Sequence, residues 1–494
     1  MNLAKEISLT MKKLSFLLSL LALVSCLAAC DSKPVESDSA SKVTDAEAVG
    51  EVPDIPLTGD YGDYEFHVLS AGNQAFNDFQ YEQETSLPLD NAQYKRKLKV
   101  EEDYNITIVE DVEQKTTMGN GPGFMAVSQQ VNSGDCNYDL CLLAGYDVSI
   151  LAYSGYLYDF NAIDGIDLTR SWWDQNATKS LAVRDVVFFT TGDITVSDNC
   201  TAFCLLFNKE LLKDYNLDNP YDLVNDGEWT IENFGKLVRG VSEDLNQDGI
   251  YDTNDRYGLL VWDDSIMAIV NAAGQRCCTI SDTGEIELTL YNESTISALE
   301  QYAEIAYDKQ HAITYQRYKG TKPALMWQNN QGLFWTTLIN NLPKIREMES
   351  DFGVLPFPKL TAEQENHYTC IAPFNSQFLC VPLVQNDVER TGVITEALAF
   401  YGQKTVLPAL YDITLVGQST RDEESEPMLD IIFNNLVYDI GYYYQIGSYN
   451  ERIMDQLRAY NMNFTSMYDT YENAATMTLK IINEFYGEAV ADWK

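Results

Sequence analysis

The sequence predicts an α/β fold organised around parallel sheets. Near the start of the folded part, Tyr64, Phe66 and Val68 alternate with polar residues, which is the period of a half-buried strand. Further segments follow in alternation, with helices at 91–104 and 125–132 and strands at 106–109 and 138–143. Strand, helix, strand, helix, strand is the order in which a parallel sheet is built. The 494 residues are enough for two or three folding units.

The composition excludes several functional classes. The chain has 74 acidic and 33 basic residues, and its formal net charge is −41. Such a surface repels the phosphates of nucleic acids and anionic lipid headgroups, so neither nucleic-acid binding nor peripheral membrane binding is expected. Global disorder is excluded as well, because 45% of the residues are hydrophobic and 12% are aromatic.

The N-terminus carries the pattern of an export signal. Two lysines follow Met11, an apolar run covers residues 14–24, and small residues lead to Cys30 in the sequence LAAC. These are the basic, apolar and cleavage regions of a secretory signal peptide. LAAC also resembles a bacterial lipobox, whose cysteine is acylated. We therefore predict a signal peptide over residues 1–29, with its true start at Met11, and a lipid anchor (palmitate) on Cys30. The alternative is an ordinary signal peptide cut near Ala29, with Cys30 incidental.

Residues 30–58 are predicted to form a flexible acidic tether. After Cys30 this stretch is mainly Ser, Asp, Glu, Ala and Val with scattered Pro, and it contains no aromatic residue. Acyl chains contribute about 0.8 kcal/mol per buried methylene, so the anchor needs no membrane-spanning helix. No later segment is apolar for long enough to cross a bilayer. The expected location is the outer face of the cytoplasmic membrane.

A single twelve-residue stretch, 244–255, has the spacing of a calcium loop. Gly249 stands at the sixth position, where the chain must turn sharply, and Asp255 replaces the usual Glu at the twelfth. One loop alone favours a structural ion over a paired calcium sensor. The alternative is an acidic solvated turn, since Asp-Gly and Asn-Asp are common in loops. The predicted calcium ligands are Asp244, Asn246, Asp248, the Ile250 carbonyl, Asp252 and Asp255.

The flanks of this loop and several other segments carry a family resemblance. Thr230 caps a helix with one apolar face before the loop, and an apolar strand at 257–262 follows it. The other segments are LLFNKELLKDYNLDNPYDLVNDGEWTIENF at 205–234, YDLCLLAGYD at 138–147, YSGYLYDF at 153–160, KPALMWQNNQGLFW at 322–335 and DFGVLPFPK at 351–359. In this order they resemble the family 1 extracellular solute-binding proteins, the sugar-capturing lipoproteins of ABC importers. The alginate-binding members are similar in having one calcium loop at this place.

The resemblance implies a two-lobe, periplasmic-binding-protein-like fold, with a sheet in each lobe and a helix-rich second lobe and C-terminal part. It assigns residues 59–193 and 318–360 to lobe 1, and residues 194–317 and 361–494 to lobe 2, including a strand at 377–381. It also implies a carbohydrate ligand between the lobes and ABC permease subunits as partners. The binding protein itself is expected to be a monomer that touches the membrane only through its lipid.

The resemblance also indicates which residues bind the ligand. Sugars present apolar C–H faces and a rim of hydroxyls, so their sites combine flat aromatic rings with polar side chains. Three places in this chain match positions that line the cleft in the family: the end of the strand at 138–143, the end of the strand at 257–262, and the QGLFW turn. The candidates at these places are Tyr146 and Asp147, Trp262 and Asp263, and Phe334 and Trp335.

Cysteine spacing disfavours disulfides and zinc. Eight cysteines remain beyond Cys30, and an even number in an exported protein normally suggests disulfides. If Cys200 and Cys204 share a strand, however, they lie about 13 Å apart at ~3.3 Å per residue, too far to bridge. Long-range pairing stays open, and free, mostly buried thiols are preferred. With three histidines and no C-x-x-C spacing, a zinc site is not expected.

No local enzyme signature is present, since the sequence lacks G-x-S-x-G, H-E-x-x-H and G-x-x-x-x-G-K. Catalysis is therefore not expected. A surface glycan hydrolase stays as an alternative, because a glycosidase needs two carboxylates and no local motif. A binding protein for a non-sugar solute, such as a peptide, is a second alternative. A structural adhesin is disfavoured, because a dockerin-type module requires two calcium loops.

Overall fold

The computed structural model describes residues 51–73, 76, 78–115, 119–345, 348–411 and 424–493, and no side chain beyond residue 489. The predicted signal peptide, Cys30 and residues 30–50 of the predicted tether lie outside these ranges and stay predictions. Residues 51–494 form one compact unit. None of the helices within the described ranges is both long and apolar enough to cross a bilayer.

The last part of the predicted tether, residues 51–58, packs against the folded chain. Pro53 is buried, and the Ser171 hydroxyl donates to the Glu51 carboxylate at 2.8 Å. The Tyr104 hydroxyl donates to the carbonyl of Pro56 at 2.6 Å. The chain is therefore not a free tether over these residues, because Pro53 and Ile55 pack on the folded part, although Val52 and Leu57 are 47% and 44% exposed.

The strands form two main sheets and two short pairs. In chain order they are β1 (Tyr64–Ala71), β2 (Ile106–Glu113), β3 (Leu140–Ala144), β4 (Phe203–Asn208), β5 (Ser242–Glu243), β6 (Arg256–Leu260), β7 (Cys278–Ile280), β8 (Ile286–Leu288), β9 (Ala312–Ile313), β10 (Gly332–Leu338), β11 (Phe352–Leu355), β12 (Thr369–Cys370), β13 (Gln377–Cys380) and β14 (Leu436–Val437).

The helices alternate with these strands early in the chain and dominate its end. In chain order they are α1 (Pro88–Tyr104), α2 (Pro122–Ser133), α3 (Gly145–Tyr153), α4 (Gln175–Leu181), α5 (Ser197–Cys200), α6 (Lys209–Asp214), α7 (Pro220–Asn225), α8 (Ile231–Val238), α9 (Ser265–Ala272), α10 (Glu293–Ala306), α11 (Pro323–Gln328), α12 (Leu342–Ile345), α13 (Val388–Tyr411), α14 (Ser425–Asn434), α15 (Ile440–Tyr443), α16 (Tyr449–Arg458) and α17 (Phe464–Trp493).

The first sheet has the strand order β13-β3-β1-β2. β1 pairs in parallel with both β2 and β3, with Phe66 opposite Ile108 and Leu69 opposite Cys141. β13 closes the other side of β3 in the antiparallel direction. The parallel core and its helices α1 and α2 confirm the α/β prediction for residues 64–143.

The second sheet has the order β11-β4-β10-β6-β5, with β9 beside β6. β10 runs antiparallel to β4 and parallel to β6. Every residue of β4 and β10 is buried, so these central strands are covered on both faces. The two short pairs are β7 with β8 and β12 with β14.

Two chain segments lie in the sheet opposite to the one predicted. Residues 318–360, assigned to lobe 1, supply β10 and β11 to the second sheet, where Val354 pairs with Leu206. The strand at 377–381, assigned to lobe 2, is β13 of the first sheet, where Phe378 pairs with Leu143, and α13 packs on α1 behind it. β10 and β13 are buried throughout. Apolar runs of this kind fit either sheet, because they show no periodicity that would choose between them.

The predictions of a helix cap at Thr230 and of free cysteines are confirmed, unlike the assignment of segments to sheets. The Thr230 hydroxyl accepts the Asn233 N–H at 3.3 Å, so Thr230 caps α8 as predicted. Asn292 caps α10 in the same way, which was not predicted, because its side chain accepts the Thr295 N–H at 2.9 Å. All eight cysteines in the described part of the chain are free thiols, and all except Cys136 are buried, which confirms the prediction of free, mostly buried thiols.

Candidate ligand-binding cleft

A cavity of about 400 Å³ lies where residues beside the two main sheets come together. We call it the cleft cavity. Residues following β1 and preceding β13 line it from the first sheet, whereas β10 and the residues after β6 line it from the second. Its lining residues are Asn73, Phe203, Trp262, Asp264, Lys322, Pro323, Ala324, Trp335, Thr336, Thr337, Leu338, Asn341, Phe374 and Asn375.

Trp262 is the aromatic side chain that the cleft cavity presents most openly. It is 38% exposed, whereas the other tryptophans of described burial are at most 5% exposed. Its backbone N–H donates to the Thr336 hydroxyl at 2.8 Å, and its ring packs edge-on against Tyr315 with centroids 5.2 Å apart. The indole is therefore fixed in orientation while much of its surface stays available.

Trp335 lines the same cavity from β10 and is 5% exposed. Its ring packs against Trp327, with centroids 5.9 Å apart. Its neighbour Phe334 is fully buried and packs on the rings of Trp229 and Phe234 at 5.9 and 5.2 Å. Since successive residues of a strand point to opposite faces, the structure assigns Trp335 to the cleft and Phe334 to the core. The prediction that Phe334 shares the role of Trp335 is wrong.

Amide side chains add polar groups to the cleft cavity. The Asn73 side-chain amide donates to the Asn375 side-chain oxygen at 3.2 Å, and the Asn341 amide donates to the Thr337 hydroxyl at 2.9 Å. These amides are not among the sequence candidates: Asn73 and Asn375 lie in turns beside strands of the first sheet, and Asn341 lies in a short 3-10 turn after β10. No local pattern marks such positions.

Asp264 is the single carboxylate among the described lining residues. The Trp262 indole N–H donates to its Oδ2 at 3.4 Å. Burial raises the pKa of Asp264 to about 6, and the nearby charges of Asp263 and Glu451 act in the same direction. The ligand-binding residue predicted from the sequence is Asp263, one position away.

Asp263 itself does not line the cleft cavity. It is buried, and its Oδ2 accepts a charge-assisted hydrogen bond from the Arg458 guanidinium at 2.7 Å. Burial raises the pKa of Asp263, while this hydrogen bond opposes the shift. Its role is to tie the end of β6 to α16, so its prediction as a ligand-binding residue is wrong.

Tyr146 and Asp147 are also placed away from the cleft cavity. Both lie in the first turn of α3 and are 1% exposed. The Tyr146 hydroxyl accepts from the Asn450 amide at 3.0 Å, and Asp147 accepts the Gly121 N–H at 3.2 Å. These partners are internal, so the structure corrects both predictions. The strand before α3 ends as predicted, but α3 begins at once and carries both side chains into the interior.

The predicted calcium loop adopts a tight turn around Gly249, whose φ of 78° favours glycine. The Gly249 N–H donates to the Asp244 carboxylate at 2.8 Å. The other carboxylate oxygen, Asp244 Oδ1, is buried and has no hydrogen-bond partner among the described residues. A buried oxygen that lacks a partner is one feature expected of a cation ligand.

Other features of the loop differ from an assembled metal site. Asp255 is fully buried, and it accepts the N–H groups of Leu245 and Asp252 at 3.1 and 2.8 Å. Within the described residues, no three His, Cys, Asp or Glu side chains are grouped closely enough to hold a metal. The loop thus has the backbone turn and one unpartnered oxygen, while its carboxylates are not gathered around one point.

Comparisons with known proteins agree on the fold. No family model and no curated protein sequence matches the chain. Among solved structures it is similar to the cyclic α-maltosyl-1,6-maltose binding protein from Arthrobacter globiformis, with 14% identity and a TM-score of 0.57 over 85% of this chain and 100% of that one. The chain has the fold of an ABC transporter solute-binding protein.

Two further solved structures support this fold. An ABC substrate-binding protein from Listeria monocytogenes in complex with cycloalternan has 13% identity and a TM-score of 0.53, covering 86% of this chain and 99% of that one. An ABC transporter solute-binding protein from Thermotoga lettingae bound with α-D-tagatose has 14% identity and a TM-score of 0.52, covering 85% and 100%. The two-lobe prediction for the fold class is confirmed by these solute-binding proteins and by the two separate sheets.

Proposed function

We propose that this chain is a solute-binding protein that captures a sugar or oligosaccharide for an ABC importer. The observation that carries the proposal is the cleft cavity, which is lined by the open indole of Trp262, by Trp335 and by several amide side chains. Sites for small molecules are concave and largely apolar, with a few polar groups that fix orientation. The three sugar-bound or sugar-named neighbours share the fold, which makes this ligand class the first to test.

The residues of the cleft cavity suit each part of a sugar. The apolar C–H face of a pyranose ring would stack on Trp262, while hydroxyls would hydrogen-bond to the amides of Asn73, Asn341 and Asn375. Asp264 would accept from a hydroxyl. No bond is made or broken, and release is the reverse of capture.

The charge of the lining favours a neutral ligand. Asp264 and Lys322 are the charged groups among the described residues that line the cleft cavity, and they carry opposite signs. A uronate or phosphate would meet one attractive and one repulsive charge there. A neutral oligosaccharide meets no charge repulsion, and it uses both groups as hydrogen-bond partners.

Capture would be coupled to transport by closure of the two lobes around the ligand. Hinge closure is the motion by which binding proteins of this architecture enclose their ligands. The closed form would dock on the permease subunits of the importer. An acylated Cys30 would keep the protein at the outer membrane face, and a calcium ion held by residues 244–255 would stabilise the second lobe.

The same geometry disfavours the glycan hydrolase alternative. A glycosidase needs two carboxyl groups roughly 5–9.5 Å apart beside the scissile bond. Among the described residues, the cleft cavity offers Asp264 alone, because the neighbouring Asp263 is turned toward Arg458.

A ligand-induced melting screen tests the proposed function. The purified chain is heated with a panel of neutral oligosaccharides, matched uronates and short peptides, because any ligand of the native state raises the melting temperature. We expect neutral oligosaccharides to give the largest rise, and no reducing ends to be released during incubation. A rise with peptides alone would refute the sugar assignment, and released reducing ends would favour the hydrolase.

A further inference from the structure

A second cavity, of about 440 Å³, shares no lining residue with the cleft cavity. We call it the basic cavity. Its walls come from α4, β7, β14 and the chain before β12. Its lining residues are Asn176, Lys179, Ser180, Arg276, Cys278, Thr279, Ile280, Asn366, Tyr368, Asn434, Asn435, Leu436, Val437, Tyr438 and Ile440.

The charge of this wall is opposite to that of the protein as a whole. Lys179 and Arg276 line the basic cavity, and no carboxylate does so among the described residues. The chain has 74 acidic and 33 basic residues, so an average wall of this size would be mainly acidic. Four asparagines also line the cavity, and one of them, Asn435, already donates its amide to the Ile431 carbonyl at 2.8 Å.

The Arg276 guanidinium is held in a fixed orientation, and two of its nitrogen atoms are left as available hydrogen-bond donors. Its Nη1 donates to the carbonyls of Asn271 and Gln275 at 3.2 and 2.7 Å, and its guanidinium lies 5.0 Å from the centre of the Tyr368 ring. Its Nε and Nη2 donate to no residue in the described part of the chain. A planar guanidinium with two free donors matches the oxygens of a carboxylate or phosphate.

Asp439 is the buried carboxylate whose charge acts on Arg276, and it does not occupy those donors. Asp439 is 1% exposed and accepts the backbone N–H groups of Cys277 and Gly441 at 2.7 and 3.1 Å. It lies behind the wall, outside the lining of the basic cavity. Burial lowers the pKa of the Arg276 guanidinium, with the Asp439 charge acting in the opposite direction. An anion in the cavity would stabilise the charged form further.

A neighbouring cavity is lined by three acidic residues, Asp174, Asp193 and Asp198. Their negative charge does not cancel the positive charge of the basic cavity. Tyr438 lines the basic cavity, and its hydroxyl is directed to the carboxylates of Asp174 and Asp198 at 3.0 and 3.2 Å, which line the neighbouring cavity. Burial raises the pKa of Asp193 to about 8 and that of Asp198 to about 7. Burial also raises the pKa of Asp174. These carboxyls are therefore partly protonated near neutral pH, which reduces the negative charge beside the basic cavity.

We propose that the basic cavity is a second ligand site, which binds a small anion through the guanidinium of Arg276 and the ammonium of Lys179. The anionic group is a carboxylate or a phosphate, and the asparagine amides hold the polar remainder of the molecule. The cavity volume falls within the range of small-molecule sites, roughly 300–1,000 Å³. This proposal does not depend on what the cleft cavity binds.

The test is calorimetric titration of the purified chain and its variants with glucuronate, glucose 6-phosphate and glucose. The two anions distinguish a carboxylate from a phosphate ligand, and glucose is the uncharged control. The Trp262→Ala background removes the main aromatic contact of the cleft cavity. Lys179→Gln is paired with Lys236→Gln, because both lysines are exposed and lie in the last turn of a short helix.

We expect at least one anion to bind in the Trp262→Ala background, with glucose showing no comparable heat. Lys179→Gln should weaken that binding about tenfold and Arg276→Gln by more, since hydrogen bonds between charged groups are the strong ones. Lys236→Gln should leave it unchanged. The proposal is overturned if neither anion binds, if the two lysine variants behave alike, or if Trp262→Ala abolishes anion binding.

Discussion

The predicted calcium loop and the cleft cavity differ in how their residues are distributed along the chain. The predicted calcium ligands fall within twelve consecutive residues, 244–255, and the turn at Gly249 forms as the spacing predicts. The cleft cavity draws on residues spread from Asn73 to Asn375 and on both sheets. Consecutive spacing thus predicts a backbone conformation well, whereas a site made of distant residues depends on which segments the fold brings together.

The lipobox at Cys30 is, like the calcium loop, a motif of consecutive residues, and its removal should change membrane attachment strongly. If Cys30 carries the anchor, Cys30→Ser removes the acylation site and should release the protein from the membrane fraction almost completely. Cys136→Ser is the control, because Cys136 is a partly exposed free thiol in the folded part. Acyl labelling and membrane fractionation measure the effect. Unchanged labelling in Cys30→Ser would show that the N-terminal motif is only a signal peptide.

A smaller effect is expected from removing calcium. An ion present at about 100 times its dissociation constant stabilises the native state by about 2.7 kcal/mol, so chelator should lower the melting temperature by a few degrees. The double variant Asp244→Ala, Asp248→Ala should melt at the lower temperature and no longer respond to chelator. Asp282→Ala, in an exposed turn elsewhere, should respond like the native chain.

Ligand affinity separates the role of the loop from that of the cleft cavity. The double loop variant should bind oligosaccharide with nearly native affinity, because the loop residues do not line the cleft cavity. A melting curve that ignores chelator, together with no bound metal by elemental analysis, would leave residues 244–255 as an acidic turn.

The smallest effect concerns Asp264 and pH. Burial raises the pKa of Asp264 in the folded protein to about 6, so the folded state holds this proton more tightly than the unfolded chain does. Stability contributed by the protonated form is present at low pH and is lost as the pH rises through about 6. Asp264→Asn cannot ionise and should therefore gain stability over the native chain between pH 5 and pH 7, by less than about 1 kcal/mol because the group is partly exposed.

Urea unfolding of both chains at several pH values measures this difference. An Asp282→Asn control should show no such trend, since Asp282 is exposed in a turn. A stability difference between Asp264→Asn and the native chain that stays constant from pH 5 to pH 7 would contradict the assignment.

Particular residues show what the sequence could predict and why. The Thr230 cap, the strands around residues 64–143 and the turn at Gly249 follow from local periodicity and from side chains that hydrogen-bond to nearby backbone. Trp262 and Trp335 were predicted as cleft residues through family resemblance, and the structure brings both to one cavity. The prediction for Phe334 was wrong because neighbouring residues of a strand face opposite sides of the sheet. A shift of one position therefore decides whether a side chain faces the core or the cleft.

Other failures have a different physical origin. β10 lies in the second sheet and β13 in the first, the reverse of the prediction. A fully buried strand contains no polar face that would identify its neighbours. Asp263 and Asp264 are adjacent acids with different partners, and only the position of Arg458 on a distant helix separates their roles. The amides of Asn73 and Asn375 have no local signature at all.

The central claim is that the cleft cavity binds sugar against Trp262, and calorimetric titration of Trp262→Ala tests it most directly. The best oligosaccharide from the melting screen is titrated into the native chain, into Trp262→Ala and into Tyr291→Ala, whose aromatic ring is 43% exposed and lies outside the cleft cavity. We predict that Trp262→Ala weakens binding by about 1–3 kcal/mol, the loss expected for one stacked ring, and that Tyr291→Ala binds normally. Native affinity in Trp262→Ala would contradict the account.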